Sequence, residues 1–282
     1  MATRKMYQRP DLVVKRVISY TVLTICSITM IIPFIWMFTT SLKPTNEVFT
    51  FPPTLFASRI DWSNYGRMFQ RFPFALYLLN SAKITFFVVV LQLFTSCMAG
   101  YVFARIKFRF SDKLFLLYLA TMMVPSQVTV IPTFILMKTY KLVDTHWALI
   151  LPGIVSAYGT FLLRQFFITV PQALEDSAKI DGCNHFQICV RIMLPLAKPT
   201  ITTLAIFIFM GVWNDYFNPL IYINTDTLKT LPLGVASMQG MYATDWPMLM
   251  AGAFLSTIPV LVAFLIGQDQ FVKGVMLSGM KD

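Results

Sequence analysis

The sequence predicts an all-α integral membrane protein with six membrane-spanning helices. Three observations carry that prediction. Of 282 residues, 56% are hydrophobic and only 13% are charged, whereas an ordinary soluble domain carries about a quarter charged residues. The mean hydropathy is +0.65. The apolar residues gather in six blocks, each near the length of about 20 residues that crosses a bilayer as a helix. Disorder is excluded by the 26 Phe and 17 Met, since that much apolar surface does not remain in water.

The first block, 17–40, follows Lys15-Arg16 and carries no charge. It is longer than the apolar region of a signal peptide and ends in Ile35-Trp36-Met37-Phe38 instead of small residues, so it reads as a retained span. Pro33 is expected to kink it, which neighbouring helices tolerate. Residues 41–72 are polar and rich in Pro and aromatics, including Pro44, Phe51, Pro52, Pro53, Trp62 and Tyr65. They read as an outer loop with one short interfacial helix near 62–69. Further spans follow at 82–104, 114–137, 147–163, 200–222 and 246–268, the third broken by Pro125 and Pro132. The whole of 1–282 reads as a single transmembrane domain, with a polar segment at 164–199 and a short tail at 269–282.

Charge sets the orientation. With the N-terminus inside, segments 1–16, 105–113, 164–199 and 269–282 face the cytoplasm and hold 15 of the 23 Lys and Arg. The excess of inner cations favours both termini in the cytoplasm. The net charge of +10 is then a topological signal. A nucleic-acid groove would interleave cations with aromatics, and here the cations are scattered between apolar blocks, so no nucleic-acid partner is expected. Cys26 and Cys97 lie inside apolar blocks and are expected to pack as small hydrophobes. Cys183 and Cys189 lie in a cytoplasmic segment, where thiols stay reduced. There is no C-x-x-C pair, and His146 and His185 lie far apart, so no metal site is expected.

The polar segment carries the functional information. Pro171 suits a helix start, and Glu175 and Asp176 fall in an early turn, where negative charge complements the helix dipole. Gly182 stands where a left-handed cap would end that helix. Phe186, Cys189, Val190 and Met193 then recur at helical spacing, and Pro195 and Pro199 break the second helix ahead of the fifth span. Two short helices joined at Gly182, polar with one apolar side, suit the docking of a soluble partner.

This segment resembles the EAA loop of permease subunits of binding-protein-dependent ABC importers: Glu-Ala-Ala, three residues, Gly, nine residues, Ile, one residue, Leu-Pro. Asp176, Ser177 and Ala178 stand at the first three positions, Gly182 is the glycine, and Ile192, Leu194 and Pro195 close the pattern. Asp replaces Glu, Ser replaces Ala, and Cys183 stands where a small Ala is usual. The remainder is similar to the carbohydrate-uptake branch, in particular the smaller maltose-type permease. The stretches concerned are Ser41-Leu42-Lys43-Pro44, Met123-Val124-Pro125, Trp213-Asn214-Asp215-Tyr216 with Asn218-Pro219-Leu220, Thr230-Leu231-Pro232-Leu233-Gly234, and Phe271-Val272-Lys273-Gly274.

The resemblance implies a non-catalytic permease subunit in the bacterial or archaeal inner membrane that imports a sugar or oligosaccharide. It implies a second, different permease subunit, two ABC ATPase subunits and an extracytoplasmic sugar-binding protein. Coupling to the ATPases would run through Glu175, Asp176, Ser177, Ala178, Asp181, Gly182, Ile192, Leu194 and Pro195. Ser278, Gly279, Met280 and Lys281 would reach the ATPases from the tail. No cofactor is expected in this chain, and ATP and Mg would be bound by the partners.

Candidates for the substrate pathway come from residue chemistry. Trp213, Asn214, Tyr216 and Asn218 mix ring faces with hydrogen-bonding groups, as a sugar requires; an interfacial aromatic girdle accounts for the same Trp and Tyr. Met122, Met123, Pro125 and Gln127 sit mid-span, either as a gate or as ordinary helix packing. Asp215 is either an intramembrane functional group or a residue facing outer water. No G-x-x-x-x-G-K-[ST], G-x-S-x-G or H-E-x-x-H occurs, so no P-loop, nucleophile elbow or zinc-protease helix is expected. The remaining rival is a self-sufficient channel or secondary transporter, which would not need the EAA spacing.

Overall fold

The structure, a computed structural model, describes residues 10–240 and 244–279, with side chains for 14–240 and 244–268. Among the described residues every regular element is helical. Four helices are long and apolar enough to cross a membrane: Val14–Ser41, Phe74–Arg105, Trp147–Thr169 and Trp246–Gln268. Two bent pairs pass that test only together, Ser111–Met123 with Ser126–Thr139 at 100° and His185–Leu196 with Lys198–Trp213 at 82°. With each bent pair taken as one span, there are six. The chain forms two compact units. One comprises residues up to Arg71 with Met238–Leu255, the other Phe72–Ser237 with residues from Ser256 onward.

In the first unit, helix α1 (Pro10–Ser41) runs unbroken through Pro33. Its apolar side chains stand exposed, Cys26 among them, which corrects the expectation that this thiol packs. An apolar surface of that extent needs lipid or another helix to cover it. Beyond α1 the loop that follows is tightly bonded. Asn64, on α2 (Ser63–Arg71), donates from Nδ2 to the carbonyls of Ser41 at 2.9 Å and Lys43 at 3.0 Å. Lys43 is only 1% exposed; its ammonium donates to the carbonyl of Thr54 and lies 5.0 Å from the Trp36 ring centre. A cation so buried needs such partners. Asp245 pairs with Arg67 at 3.6 Å and Arg71 at 3.9 Å.

The second unit is built on α3 (Phe74–Arg105), which begins eight residues before the second span predicted at 82–104. The predicted third span is two helices, α4 (Ser111–Ala120) and α5 (Ser126–Thr139). Pro125, which cannot donate into the preceding turn, sits at the break as the cap of α5. The fourth span comprises α6 (Trp147–Ile150), a 3-10 turn at Leu151–Ile154 and α7 (Ala157–Thr169), so it ends six residues beyond the predicted 163. After α8 (Gln172–Ile180), α9 (His185–Ile188) and α10 (Leu194–Leu196), the second arm of the bent fifth span, α11 (Lys198–Trp213), stops well short of the predicted 222. Its last predicted residues form the separate α12 (Phe217–Tyr222), and α13 (Leu231–Ala236) follows in the next loop. The last helix, Trp246–Gly279, continues past the predicted boundary at 268.

The core gathers where α3, α7 and α11 meet. Val88, Leu163, Phe167, Ile188, Met193 and Leu204 are almost fully buried there. Gly159 lets α7 come close to α3, since a Cβ on it would lie 2.5 Å from the Ser96 hydroxyl.

Asp144 ties the 140–146 turn to the segment after α12. Its carboxylate accepts from the backbone N–H groups of Asn224 and Thr225, both at 2.9 Å, and from the Thr225 hydroxyl at 2.6 Å. The Thr225 hydroxyl, followed by these backbone donors, holds the Asp144 pKa below its ordinary value. A carboxylate with a lowered folded pKa stabilises the fold above the ordinary carboxylate range and loses that contribution as pH falls through the lowered value. Purified protein should therefore lose part of its thermal stability on acidification, and Asp144→Asn should flatten that dependence. Equal pH slopes for both proteins would exclude Asp144 as its source.

Candidate functional site

The helix pair between the fourth and fifth spans has two closed ends at its turn. Helix α8 ends in a complete Schellman motif: Cys183 N–H donates to the Ala178 carbonyl at 2.9 Å, and Gly182 N–H to Lys179 at 3.0 Å. Gly182 takes φ +82°, a region open to glycine and unfavourable for branched residues. Helix α9 starts at once with a capping box, in which Asn184 and Gln187 exchange side-chain and backbone hydrogen bonds of 2.9 Å. The turn is thereby held with hardly any free backbone.

Burial divides the segment into two faces. Glu175, Ala178, Ile188, Cys189 and Met193 are buried. Ile192 and Leu194 are half-buried, while Asp176, Ser177, Asp181, Gly182 and Pro195 are exposed. Leu174, Ile180 and Phe186 add apolar surface to the open face, Ile180 being 87% exposed. The expected apolar face of Phe186, Cys189, Val190 and Met193 is therefore corrected, because Phe186 and Val190 point outward. A π-helical turn at Cys189–Met193 shifts the register, so simple helical spacing no longer marks one face. The expected break at Pro195 also moves: the helix runs through Leu196 and bends at Ala197, and Pro199 occupies the first turn of α11.

Glu175 differs from its neighbours in the motif. It is 1% exposed and faces Arg105, the last residue of α3, with Nε and Oε1 3.1 Å apart. That approach lacks hydrogen-bond alignment, so both atoms are buried with a charge partner and no hydrogen bond. The rest of the guanidinium is well used. Nη1 donates to Gln172 Oε1 at 2.8 Å, and Nη2 to the carbonyls of Phe167 at 2.5 Å and Val170. Those carbonyls end α7, where helical partners run out. Arg105 was read from sequence only as a topological charge. Its one local signal was a cation in the last turn of a helix.

The pathway candidates do not converge on one site. Met122, Met123, Pro125 and Gln127 are all exposed around the break between α4 and α5, Met123 at 85%. Trp213 is buried, stacks on Phe209 at 5.4 Å and donates from Nε1 to the Ser256 carbonyl at 3.1 Å. It is a packing residue, with no free ring face to offer a sugar. Asn214 donates back to the Met210 carbonyl at 2.9 Å, and Tyr216 is exposed. Asp215 builds the turn into α12, accepting from Asn218 N at 3.1 Å and Nδ2 at 2.7 Å. Asp215 and Asn218 line a cavity of about 340 Å³ with Ser126, Thr129, Thr133 and Thr230. Thr129 and Thr133, missed by sequence reading, share a face of α5 by their four-residue spacing. Met280 and Lys281 lie outside the described residues, as does the side chain of Ser278, while Gly279 is described only as the last residue of the final helix. No group of three or more potential metal ligands occurs among the described residues.

Comparison with known proteins decides the family. Residues 93–275 match the profile described as binding-protein-dependent transport system inner membrane component. The chain belongs to this family of ABC importer permeases. It is 34% identical to the lactose transport system permease protein of Rhizobium radiobacter over 281 residues, which cover all of both chains. It is also 34% identical over 258 residues to the arabinooligosaccharides transport system permease protein of Bacillus subtilis (strain 168), covering 90% of this chain and 92% of the relative. A bacterial ABC transporter involved in the import of the acidic polysaccharide alginate has the same fold. One of its chains superposes with a TM-score of 0.84 at 22% identity, covering 94% of this chain and 99% of that one. Membership makes this chain a multi-pass permease.

Proposed function

We propose that this permease forms half of the translocation pathway of an ATP-driven importer of a sugar or oligosaccharide. The observation that carries the reading is the helix pair at 171–199. Its buried face is keyed into the α3–α7–α11 core, and its other face offers Asp176, Ile180, Gly182 and Phe186 to a partner. A second permease completes the pathway, two ATPase subunits bind ATP and Mg below, and an extracytoplasmic binding protein delivers the sugar. Closure of the ATPase pair moves α8 and rocks the spans, in the manner of alternating access. The sugar class rests on the lactose and arabinooligosaccharide relatives. Affinity purification from native membranes tests it: a second permease and an ATPase should accompany this chain, and the assembly should show Mg-ATP-dependent sugar uptake. Isolation of this chain alone, active without nucleotide, would favour a secondary transporter.

We further propose that both termini and residues 105–113 face the cytoplasm, a reading supported by the excess of Lys and Arg in those segments. A cysteine at position 109 should resist an impermeant reagent from outside, whereas one at position 56 should react. The reverse pattern would invert the topology.

The end of the last helix is proposed to reach the ATPases. Deleting Ser278 to Asp282 should lower or deregulate ATP hydrolysis without dissociating the assembly, because the helix pair provides the main dock. Unchanged rates, with and without binding protein, would show these residues to be a free end.

A further inference from the structure

Building on that functional reading, we propose that Arg105 is the positioning residue that makes the coupling helix α8 and the ends of α3 and α7 move as one lever. The geometry is a three-way clip. Arg105 closes α3, its Nη2 satisfies the Phe167 and Val170 carbonyls at the end of α7, and its Nη1 and Nε face Gln172 and Glu175 on α8. Both charged side chains are buried, at 7% and 1% exposure. Only two residues separate α7 from α8, so without the clip α8 could pivot about Val170 and Pro171 while α7 stayed still. A push on the exposed face of α8 would then be lost in that hinge.

The clip has separable parts. The planar guanidinium serves several acceptors at once, which a lysine ammonium on a flexible stem does not reproduce. Glu175→Gln keeps side-chain volume and leaves the carbonyls at the end of α7 capped, but it removes the charge that holds α8. This change should leave the α3–α7 junction assembled and free α8 to pivot. A purely structural ion pair would behave otherwise. Its loss would lower stability and yield, and whatever complex survived would respond to nucleotide normally.

The test uses the intact assembly with Thr129→Cys, at a cavity-lining position on α5, in a background lacking the four native cysteines. Two quantities are read: ATPase rate, and the change in maleimide labelling of position 129 when Mg-ATP and vanadate are added. A working coupling should make labelling clearly different between the nucleotide-free and the trapped assembly. In Glu175→Gln and in Arg105→Lys the change should collapse toward unity while ATP is still hydrolysed. The double variant should lose no more than the worse single one, since both act on one contact. A full labelling response in both single variants would overturn the proposal. Should Glu175→Gln fail to assemble, Gln172→Ala, at the exposed rim of the clip, takes its place: a reduced response supports the lever and an unchanged one overturns it. If the unmodified assembly hydrolyses no ATP, the functional reading fails instead.

Discussion

Replacing Gly234 by valine is expected to prevent the permease from accumulating in folded form. Gly234 sits in α13 with its N–H bonded to the Thr230 carbonyl at 2.8 Å. A Cβ there would lie 2.1 Å from Cδ2, 2.5 Å from Cε2 and 2.7 Å from Cγ of Tyr77. Tyr77 belongs to α3 and is 2% exposed, so its ring has little room to yield. Leu231 and Leu233, in the same short helix, are buried as well. Overpacking of this kind costs about 1–3 kcal/mol and occasionally more, and here the overlap is with a ring edge, not with a flexible side-chain tip. Fluorescence-detected size exclusion in detergent should show aggregation or a lost monodisperse peak. Combining Gly234→Ala with Tyr77→Leu, which vacates the ring, should recover much of it. A monodisperse Gly234→Val protein would show that α13 can lift off α3 at low cost.

Gly182→Val should have the second-largest effect, of a different kind. No atom lies within 4 Å of a Cβ built at Gly182, so the substitution creates no clash. The penalty is confined to the backbone, where φ of +82° costs a branched residue about 1–3 kcal/mol. The chain would relieve that strain by giving up the bonds from Cys183 to Ala178 and from Gly182 to Lys179, so the turn between α8 and α9 would open. The protein should insert and purify normally, and sugar uptake should fall about tenfold or more, since each 1.4 kcal/mol is a factor of ten in the population of the docked shape. ATP hydrolysis should continue in the uncoupled assembly. Gly182→Asn should retain more uptake than Gly182→Val, because Asn tolerates the left-handed region. Wild-type uptake by Gly182→Val would show that the shape of this turn is not used.

These two glycines mark the limit of what could be read in advance. Gly182 was legible because its role is local: a cap, an acidic first turn and a spacing to Leu194-Pro195 all lie within 24 residues. Gly234 enters only within a stretch that resembles the maltose-type permease, since nothing near it in sequence points to Tyr77. The same distinction governs the charges. Arg105 enters the sequence reading only as a topological charge and Lys43 only as part of a polar segment, yet both side chains are buried. The acceptors that bury Arg105 lie 62, 65 and 67 residues away.

Composition and local order were enough to determine a helical membrane protein, its six apolar blocks, the turn at Gly182 and the family. Membrane insertion responds to the summed hydropathy of a block, and caps respond to a few neighbouring residues, so both are written locally. Tertiary structure decided where spans bend, which residues of the motif face inward, and which charges are spent inside. The 100° break between α4 and α5 keeps its carbonyls and exposed Met123 acceptable only in the setting the neighbouring helices supply. The inward turn of Glu175 exists because α3 ends with Arg105 beside it. Neither depends on the local sequence alone, because the energy of a buried charge or a broken span is set by what packs against it.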